Sequence, residues 1–187
     1  MRKQIVGWLV AMIVTGAAFG QTYLPVADSS SITFTIKNLG VPVKGSFSAL
    51  AGTIRFDPEH PETSHFDVQV GVASINTGNK KRDEHLRDAA FFDVQNYPVI
   101  SFVSKKVTAG KKAGTFFIEG TLTIRSISLP LSIAFTAVPT SDGFLMEGAF
   151  DTRRKPYGVG KTSTISDKLQ VQLRVLVRQA AQDSETD

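Results

Sequence analysis

Residues 66–93 of this 187-residue chain, FDVQVGVASINTGNKKRDEHLRDAAFFD, contain the pattern that decides the fold. Apolar residues at 66, 68, 70 and 72 alternate with polar or small ones, as in a β-strand with one buried face. A charged segment over 82–90 follows, in which Leu86 and two alanines can share one face of a helix. Phe91 and Phe92 then precede the next strand, although a solvated loop has no use for them. We interpret this pair as a plug over an apolar interior, which predicts a barrel that holds an apolar ligand rather than a catalytic cleft.

The same period-two alternation marks most of the remaining chain. Clear patterns cover 31–37, 116–124, 129–137, 144–150 and 169–177, and weaker ones cover 43–56 and 99–107. With the strand at 66–72 they make eight, separated by turns that contain Gly, Pro, Ser and Asp. One polar and one apolar face per strand is typical of antiparallel sheets. Eight such strands form either a sandwich or a closed barrel, and alternation alone does not choose between them.

The N-terminus has the pattern of a secretory signal peptide. Arg2 and Lys3 precede an apolar run over 5–14, and Ala18-Phe19-Gly20 is a small-x-small cleavage site. The run is shorter than the roughly 20 apolar residues of a transmembrane helix. We therefore expect export to the periplasm. The predicted organisation is a signal peptide at 1–20, a barrel domain at 21–178 and a disordered tail at 179–187.

Composition and motifs argue against several functions. Without the signal peptide, 19 basic and 17 acidic residues remain, a balance too weak for a dedicated nucleic-acid binder. There is no cysteine, and the three histidines lack the spacing of a zinc site. The segment at 158–162, GVGKT, lacks the first glycine of a phosphate-binding loop and precedes a strand rather than a helix. With no Gly-x-Ser-x-Gly motif either, we expect no enzyme, no metal and no cofactor.

Phenylalanine is the dominant aromatic residue, with 13 Phe against three Tyr and one Trp. Most of the phenylalanines lie on the apolar phase of their strands. A side chain without a polar group suits a dry interior. An ordinary packed core and a ligand-holding lumen both account for this set.

Several short motifs follow one another in a specific order. They are Asp28-x-x-Ser31, Gly45-x-Phe47, Ser74-Ile75-x-Thr77, Arg82-Asp83-x-His85-Leu86-Arg87, Phe91-Phe92-Asp93, Gly120-x-Leu122-Thr123-Ile124 and Arg154-x-x-Tyr157-Gly158. Together, from Tyr23 to about Val177, they resemble the YceI-like family of exported bacterial lipid- and polyisoprenoid-binding proteins. The chain differs from the family pattern at Asn38, where a histidine is common, and at Pro156, where an acid is usual.

The resemblance implies an all-β fold, a lipocalin-like, eight-stranded antiparallel barrel with a short helix at one end. Its elongated apolar lumen would hold a long isoprenoid, quinone-like or polyprenyl, or a similar amphiphilic lipid. From alternation we predict the lumen residues Phe34, Ile36, Phe47, Val68, Phe102, Ile118, Leu122, Phe135, Met146, Phe150, Val171 and Leu173. Leu86, Phe91 and Phe92 would close one end. A slip of one residue on any strand would reverse its faces.

The charged segment before the Phe-Phe pair has two interpretations. Asp83, His85 and Arg87 are candidate contacts for a ligand headgroup. Alternatively, they are structural and pin the helical segment to the barrel rim. The sequence leaves both interpretations open.

The expected function is that of a non-enzymatic periplasmic carrier for an isoprenoid or similar lipid. The alternative is an interaction protein with a self-filled barrel that contacts a membrane complex. Basic clusters at 80–82, 105–106, 111–112 and 153–155 lie at or near strand ends. They are either solvated loop tips that aid solubility or sites of transient contact with an anionic membrane surface. A homodimer is a further candidate assembly, and nucleic acid is not an expected partner.

Overall fold

The computed structural model of the protein describes residues 21–181. The predicted signal peptide at 1–20 and residues 182–187 of the predicted tail lie outside that range. The described residues form ten strands and one α-helix, α1 (Lys80–Arg87). The strands are β1 (Gln21–Pro25), β2 (Ser31–Asn38), β3 (Val41–Phe47), β4 (Leu50–Phe56), β5 (His65–Gly71), β6 (Val99–Ala109), β7 (Thr115–Ile124), β8 (Ile127–Pro139), β9 (Gly143–Arg153) and β10 (Ile165–Gln179).

Eight of these strands close into a single ring. The ring runs through β1, β4, β5, β6, β7, β8, β9 and β10 and back to β1, and its neighbours are antiparallel. β1 closes it, because Tyr23 pairs with Ile54 on one side and with Gln179 on the other. The predicted eight-stranded antiparallel barrel is confirmed, and the sandwich that alternation left open is wrong.

β2 and β3 extend the barrel at one end. The 3₁₀ turn Ala27–Ser29 separates β1 from β2, and Ala49, with a φ of 55°, lies between β3 and β4. β2 pairs with β10 and with β3. Within residues 21–181, the other edge of β3 meets the barrel only through the bridge between Ser46 and Asn76. The wall between β3 and β5 is therefore completed at this end by α1 and the segments that flank it.

Capping and backbone hydrogen bonds define α1. Asn79 Oδ1 accepts a hydrogen bond from the Arg82 N–H at 3.1 Å, which satisfies a donor that has no partner inside the helix. Beyond the helix the chain folds back, and the Phe92 N–H donates to the Leu86 carbonyl at 3.1 Å. The Phe92 ring then meets the Phe47 ring edge-on, with centroids 5.8 Å apart. The predicted helical segment is confirmed, with bounds at 80–87 instead of 82–90.

Aromatic rings fill the barrel where β1 closes the ring. The Phe56 ring, on a residue only 1% exposed, meets the rings of Phe116 and Phe144 edge-on at centroid distances of 5.1 Å each. Val107 and Val177 are fully buried in the same cluster. We call this the closed end of the barrel, and the end built around α1 the hollow end.

The last strand continues beyond the start of the predicted tail. Gln179 still pairs with Tyr23, and the Ala180 N–H donates to the Thr22 carbonyl at 2.9 Å. The ladder to β1 therefore holds these two residues against the closed end. No helix within residues 21–181 has the length and the apolar character needed to cross a membrane.

Candidate ligand-binding cavity

The hollow end contains a cavity of about 250 Å³. Thirty of the residues that the structure describes line it, and all but six of them are apolar. Twelve of the fifteen predicted lumen residues are among them: Phe34, Ile36, Phe47, Val68, Leu86, Phe91, Phe92, Phe102, Leu122, Phe150, Val171 and Leu173. An apolar space bounded by rigid strands is the usual form of a small-molecule site.

Three predicted lumen residues do not line the cavity. Ile118, Phe135 and Met146 face the interior as alternation predicted, but they lie in the packed core of the closed end. The Phe135 ring stacks on Phe116 at 5.4 Å and lies 5.8 Å from the Phe66 ring. A period of two identifies the face of a strand and not the position along the barrel axis, so alternation grouped these three with the residues that line the cavity.

Two glycines keep phenylalanine rings against the wall of the hollow end. A Cβ on Gly45 would lie 2.3 Å from Cζ of Phe34, its partner across the β2–β3 ladder. A Cβ on Gly120 would lie 2.5 Å from Cζ of Phe102. Both rings therefore cover bare backbone, a recurrent use of glycine within strands. They line the lumen without filling it.

The six polar residues that line the cavity are Asn38, Gln69, Thr77, Arg82, Thr152 and Arg154. Within the described part of the chain, Asn38 Oδ1 is buried and has no hydrogen-bond partner. A buried acceptor without a partner is costly, so this oxygen is suited to a hydrogen bond from a bound molecule. Sequence reasoning did not select Asn38, although it noted that this position departs from the family pattern.

Arg154 organises the loop that follows β9. The residue is 6% exposed, and its guanidinium donates hydrogen bonds of 2.6–2.9 Å. The acceptors are the backbone carbonyls of Ser166, Val159, Gly160, Thr162 and Ile165. Five donors in a fixed fork match this set of carbonyls. The loop therefore forms a rigid part of the cavity wall, which sequence reasoning had recognised only as a family motif.

Asp83 anchors α1 and does not reach the cavity. It is buried, and Oδ1 accepts hydrogen bonds from the N–H and the hydroxyl of Thr77 at 2.9 and 2.5 Å. Arg82 completes the cluster, because Nε donates to Thr77 Oγ1 at 2.7 Å and Nη2 donates to the Thr77 carbonyl at 2.8 Å. These contacts hold the start of the helix against the barrel rim, while one side of Arg82 lines the cavity.

Arg87 and His85 also lie outside the cavity. Arg87 donates to the carbonyls of Ala73 and Ile75 at 3.0 Å each. The His85 side chain is 63% exposed, with Nδ1 3.3 Å from Asp88 Oδ2. The placement of Asp83, His85 and Arg87 as headgroup contacts is therefore corrected, and the geometry matches the structural interpretation. Their spacing on a short charged helix did not indicate that none of the three side chains lines the cavity, although the His85 ring meets the Phe91 ring edge-on at 4.8 Å.

At the hollow end, the pKa of the Tyr157 side chain differs from its ordinary value. Burial raises the pKa of the Tyr157 phenol, and a hydrogen bond with Thr152 opposes that shift. The phenol thus stays neutral at physiological pH and adds no charge to the wall. Among the residues the structure describes, no group of three or more His, Asp or Glu side chains could hold a metal ion.

Comparisons with known proteins agree with this architecture. The sequence profile of the YceI-like domain matches residues 23–177. Protein YceI of Salmonella arizonae is 29% identical over 138 residues, which cover 71% of each chain.

Two solved structures share the fold. BcnA of Burkholderia cenocepacia superposes with a TM-score of 0.77 at 21% identity, covering 83% of this chain and 99% of that one. A polyisoprenoid-binding domain from Saccharophagus degradans superposes with a TM-score of 0.69 at 13% identity, covering 86% and 99%. At these identities the two structures support the fold alone.

Proposed function

The chain belongs to the YceI-like family, and from this premise we propose that it binds and carries a long-chain isoprenoid, quinone-like or polyprenyl, or a similar amphiphilic lipid. The lipid occupies the cavity of the hollow end. The signal-peptide pattern at 1–20 supports action in the periplasm. The proposal includes no catalytic step.

The cavity itself is the observation that carries this proposal. The lining of this space of about 250 Å³ is almost wholly apolar, and without an occupant it lacks packing partners on its inner side. That loss of contacts destabilises the hollow end. A bound apolar molecule offsets it, and each buried methylene contributes about 0.8 kcal/mol.

The lining favours a long, branched and mostly apolar ligand with one polar end. Aliphatic and phenylalanine side chains offer dispersion contacts along the lumen, without hydrogen bonds that a hydrocarbon could not satisfy. Asn38 Oδ1 is available to a hydroxyl or another donor on the ligand. The fold is also that of the Saccharophagus degradans domain, which is described as binding polyisoprenoids.

The self-filled barrel that we considered as an alternative fits only half of the molecule. The closed end fills its own interior with phenylalanine, as that alternative requires. The hollow end does not. A barrel whose only task is to present surface loops has no need of a cavity on this scale.

Native mass spectrometry of the protein isolated from the periplasm, followed by organic extraction, tests the proposal. We expect one lipid molecule per chain. Val171→Trp would place an indole in the lumen, whereas Gln170→Trp would place one on the outer face of the same strand. We expect affinity to fall at least about tenfold, ~1.4 kcal/mol, for Val171→Trp only. A lipid-free protein that ignores added prenols and quinones would exclude the carrier function.

A further inference from the structure

The β2–β3 hairpin tip, residues 37–44, is the most hydrophobic exposed feature of the described chain. Leu39 is 76% exposed and Val41 is 63% exposed, the largest values among the large apolar residues of 21–181. Leu39 is the first residue of the two-residue turn, and Val41 directly follows that turn. Single exposed apolar side chains are ordinary, but a pair at a protruding tip calls for a physical reason.

Local conformation opposes leucine at this position. Leu39 has a φ of 50° and Gly40 a φ of 79°, the positive values of a type I′ hairpin turn. Asparagine or aspartate is favoured at the first position of such a turn, and a left-handed backbone is unfavourable for leucine. Turn geometry therefore does not explain why an apolar side chain is placed there.

An apolar strip connects the hairpin tip with the cavity. Val41 pairs with Asn38, and Val43 pairs with Ile36, so these residues share the inner face of the hairpin. Asn38, Ile36 and Val43 line the cavity. Exposure decreases along β3 from Val41 through half-buried Val43 to the buried end of the strand. The apolar lining thus continues outwards to the tip.

The wall beside this strip is open. In the described residues the free edge of β3 has the Ser46–Asn76 bridge as its one ladder contact, and that bridge lies at the inner end of the strand. Opposite the edge stands the segment 77–82, of which Thr77 and Arg82 reach the cavity. The hairpin, this segment and the loop 158–164 surround the opening, which we call the mouth. A hydrogen bond of 2.8 Å from the Leu39 N–H to the Thr164 carbonyl joins the hairpin to that loop.

The mouth is basic. Its three segments carry six cationic and no acidic side chains: Lys37, Lys44, Lys80, Lys81, Arg82 and Lys161. The next two residues of α1 are acidic, but Asp83 is buried against Thr77 and only Glu84 is exposed. The closed-end loops at 57–64, 110–114 and 140–143 together contain four acidic residues and two lysines. Basic charge is therefore concentrated where the exposed leucine and valine lie.

We propose that the mouth docks on an anionic lipid bilayer, with Leu39 and Val41 inserted at the level of the acyl chains and the cations on the headgroups. Exposed aliphatic side chains on a tip that lies among basic segments match the two layers of a bilayer surface. Docking itself does not depend on which ligand the cavity holds. The role of the apolar strip as the path of the ligand between bilayer and lumen rests on the proposed function.

Two features favour a bilayer over a protein partner. A two-residue turn presents much less than the ~800 Å² per partner that a stable protein interface buries. A second copy docked mouth to mouth would also bring two sets of six cations together, which like-charge repulsion opposes. Neither argument applies to a bilayer with anionic headgroups.

Co-sedimentation of lipid-stripped protein with vesicles tests the docking. The vesicles are pure phosphatidylcholine or an equal mixture with phosphatidylglycerol, at low and at high salt. Leu39→Asn removes the exposed aliphatic group and suits the turn, so the fold is retained. Lys37→Glu with Lys44→Glu reverses two mouth charges. Matched controls away from the mouth are Phe117→Ser, which removes a half-exposed apolar ring, and Lys111→Glu with Lys112→Glu.

We expect the wild type to bind the phosphatidylglycerol vesicles at low salt, and each mouth variant to bind at least about tenfold more weakly. The two controls should bind as the wild type does. The proposal would be overturned if Leu39→Asn bound as tightly as the wild type. It would also be overturned if the controls lost as much binding as the mouth variants. A dimer in sedimentation velocity that Leu39→Asn dissociates would show instead that the tip contacts a second copy.

A parallel assay separates docking from the proposed function. Uptake of a fluorescent prenol is measured once from dispersed detergent and once from vesicles. Normal uptake from detergent without vesicle binding would reject docking and retain the carrier. Vesicle binding without uptake by either route would reject the carrier and retain docking. With both functions intact, Leu39→Asn slows uptake from vesicles only.

Discussion

The closed and hollow ends of this barrel share strands β4 to β10 and the same alternation, yet one is packed with aromatic rings and the other contains a cavity. At the closed end β1 hydrogen-bonds to both neighbours, and the Phe56 ring meets other rings 5.1 Å away. At the hollow end β3 lacks that second ladder within residues 21–181, and α1 takes its place in the wall. Inward phenylalanines thus pack a core where the ring of strands is closed, and they line a lumen where a helix forms part of the wall.

Truncating one phenylalanine at each end gives the largest expected effect. Phe56→Ala should lower the free energy of unfolding by about 3–5 kcal/mol, because it opens a void among tightly packed rings. Phe150→Ala enlarges a cavity that already exists, so we expect a loss of about 1–2 kcal/mol. Urea unfolding of lipid-stripped protein measures both. Equal losses would mean that the hollow end is as tightly packed as the closed end.

Removing the anchor of α1 tests the wall of the hollow end. Asp83→Ala leaves the Thr77 N–H and hydroxyl without their acceptor, so the free energy of unfolding should fall by about 1–3 kcal/mol. His85→Ala removes a mostly exposed ring that meets the Phe91 ring edge-on at 4.8 Å, and it should lower the free energy of unfolding by no more than about 1 kcal/mol. Thermal unfolding and lipid affinity per folded molecule are measured for both variants. Weaker binding by His85→Ala at unchanged stability would restore the headgroup contact that the sequence suggested.

Much of this architecture could be predicted because strands carry a local signal. The period of two identified the inward faces, and the motif order indicated an eight-stranded barrel. Axial position has no such signal, so Ile118, Phe135 and Met146 were assigned to the lumen although they belong to the packed cluster. Their alternation is the same as that of Leu122 and Phe150.

Polar residues were harder to assign, because their partners are distant in sequence or are backbone atoms. Arg154 binds carbonyls that converge only when the loop to β10 has folded. Asp83 stands in a run of charges where nothing distinguishes the one buried carboxylate from its exposed neighbours. Asn38 occupies an inward position on β2, and the sequence alone does not show that its oxygen has no hydrogen-bond partner among the described residues.

The smallest predicted effect is confined to the closed end and depends on pH. Asp57 Oδ1 accepts hydrogen bonds from the N–H groups of Glu59 and His60 at 2.9 and 3.0 Å. Desolvation raises the pKa of Asp57, but these two donors and the His60 ring outweigh it, so the pKa lies below its ordinary value. A carboxyl with a lowered pKa stabilises the fold above its unfolded-state pKa, and that contribution is lost as pH falls through the folded-state pKa.

Asp57→Asn isolates this contribution, because the amide retains an acceptor oxygen and does not titrate. We expect the wild type to be the more stable protein at about pH 7 and the difference to disappear as pH falls through the folded-state pKa of Asp57, measured by urea unfolding. A difference that persists at low pH would show that the amide disturbs the turn by its shape. Lipid affinity should be the same for both proteins across this range, since Asp57 lies at the opposite end from the cavity. A parallel loss of affinity would mean that the two ends are coupled through the strands they share.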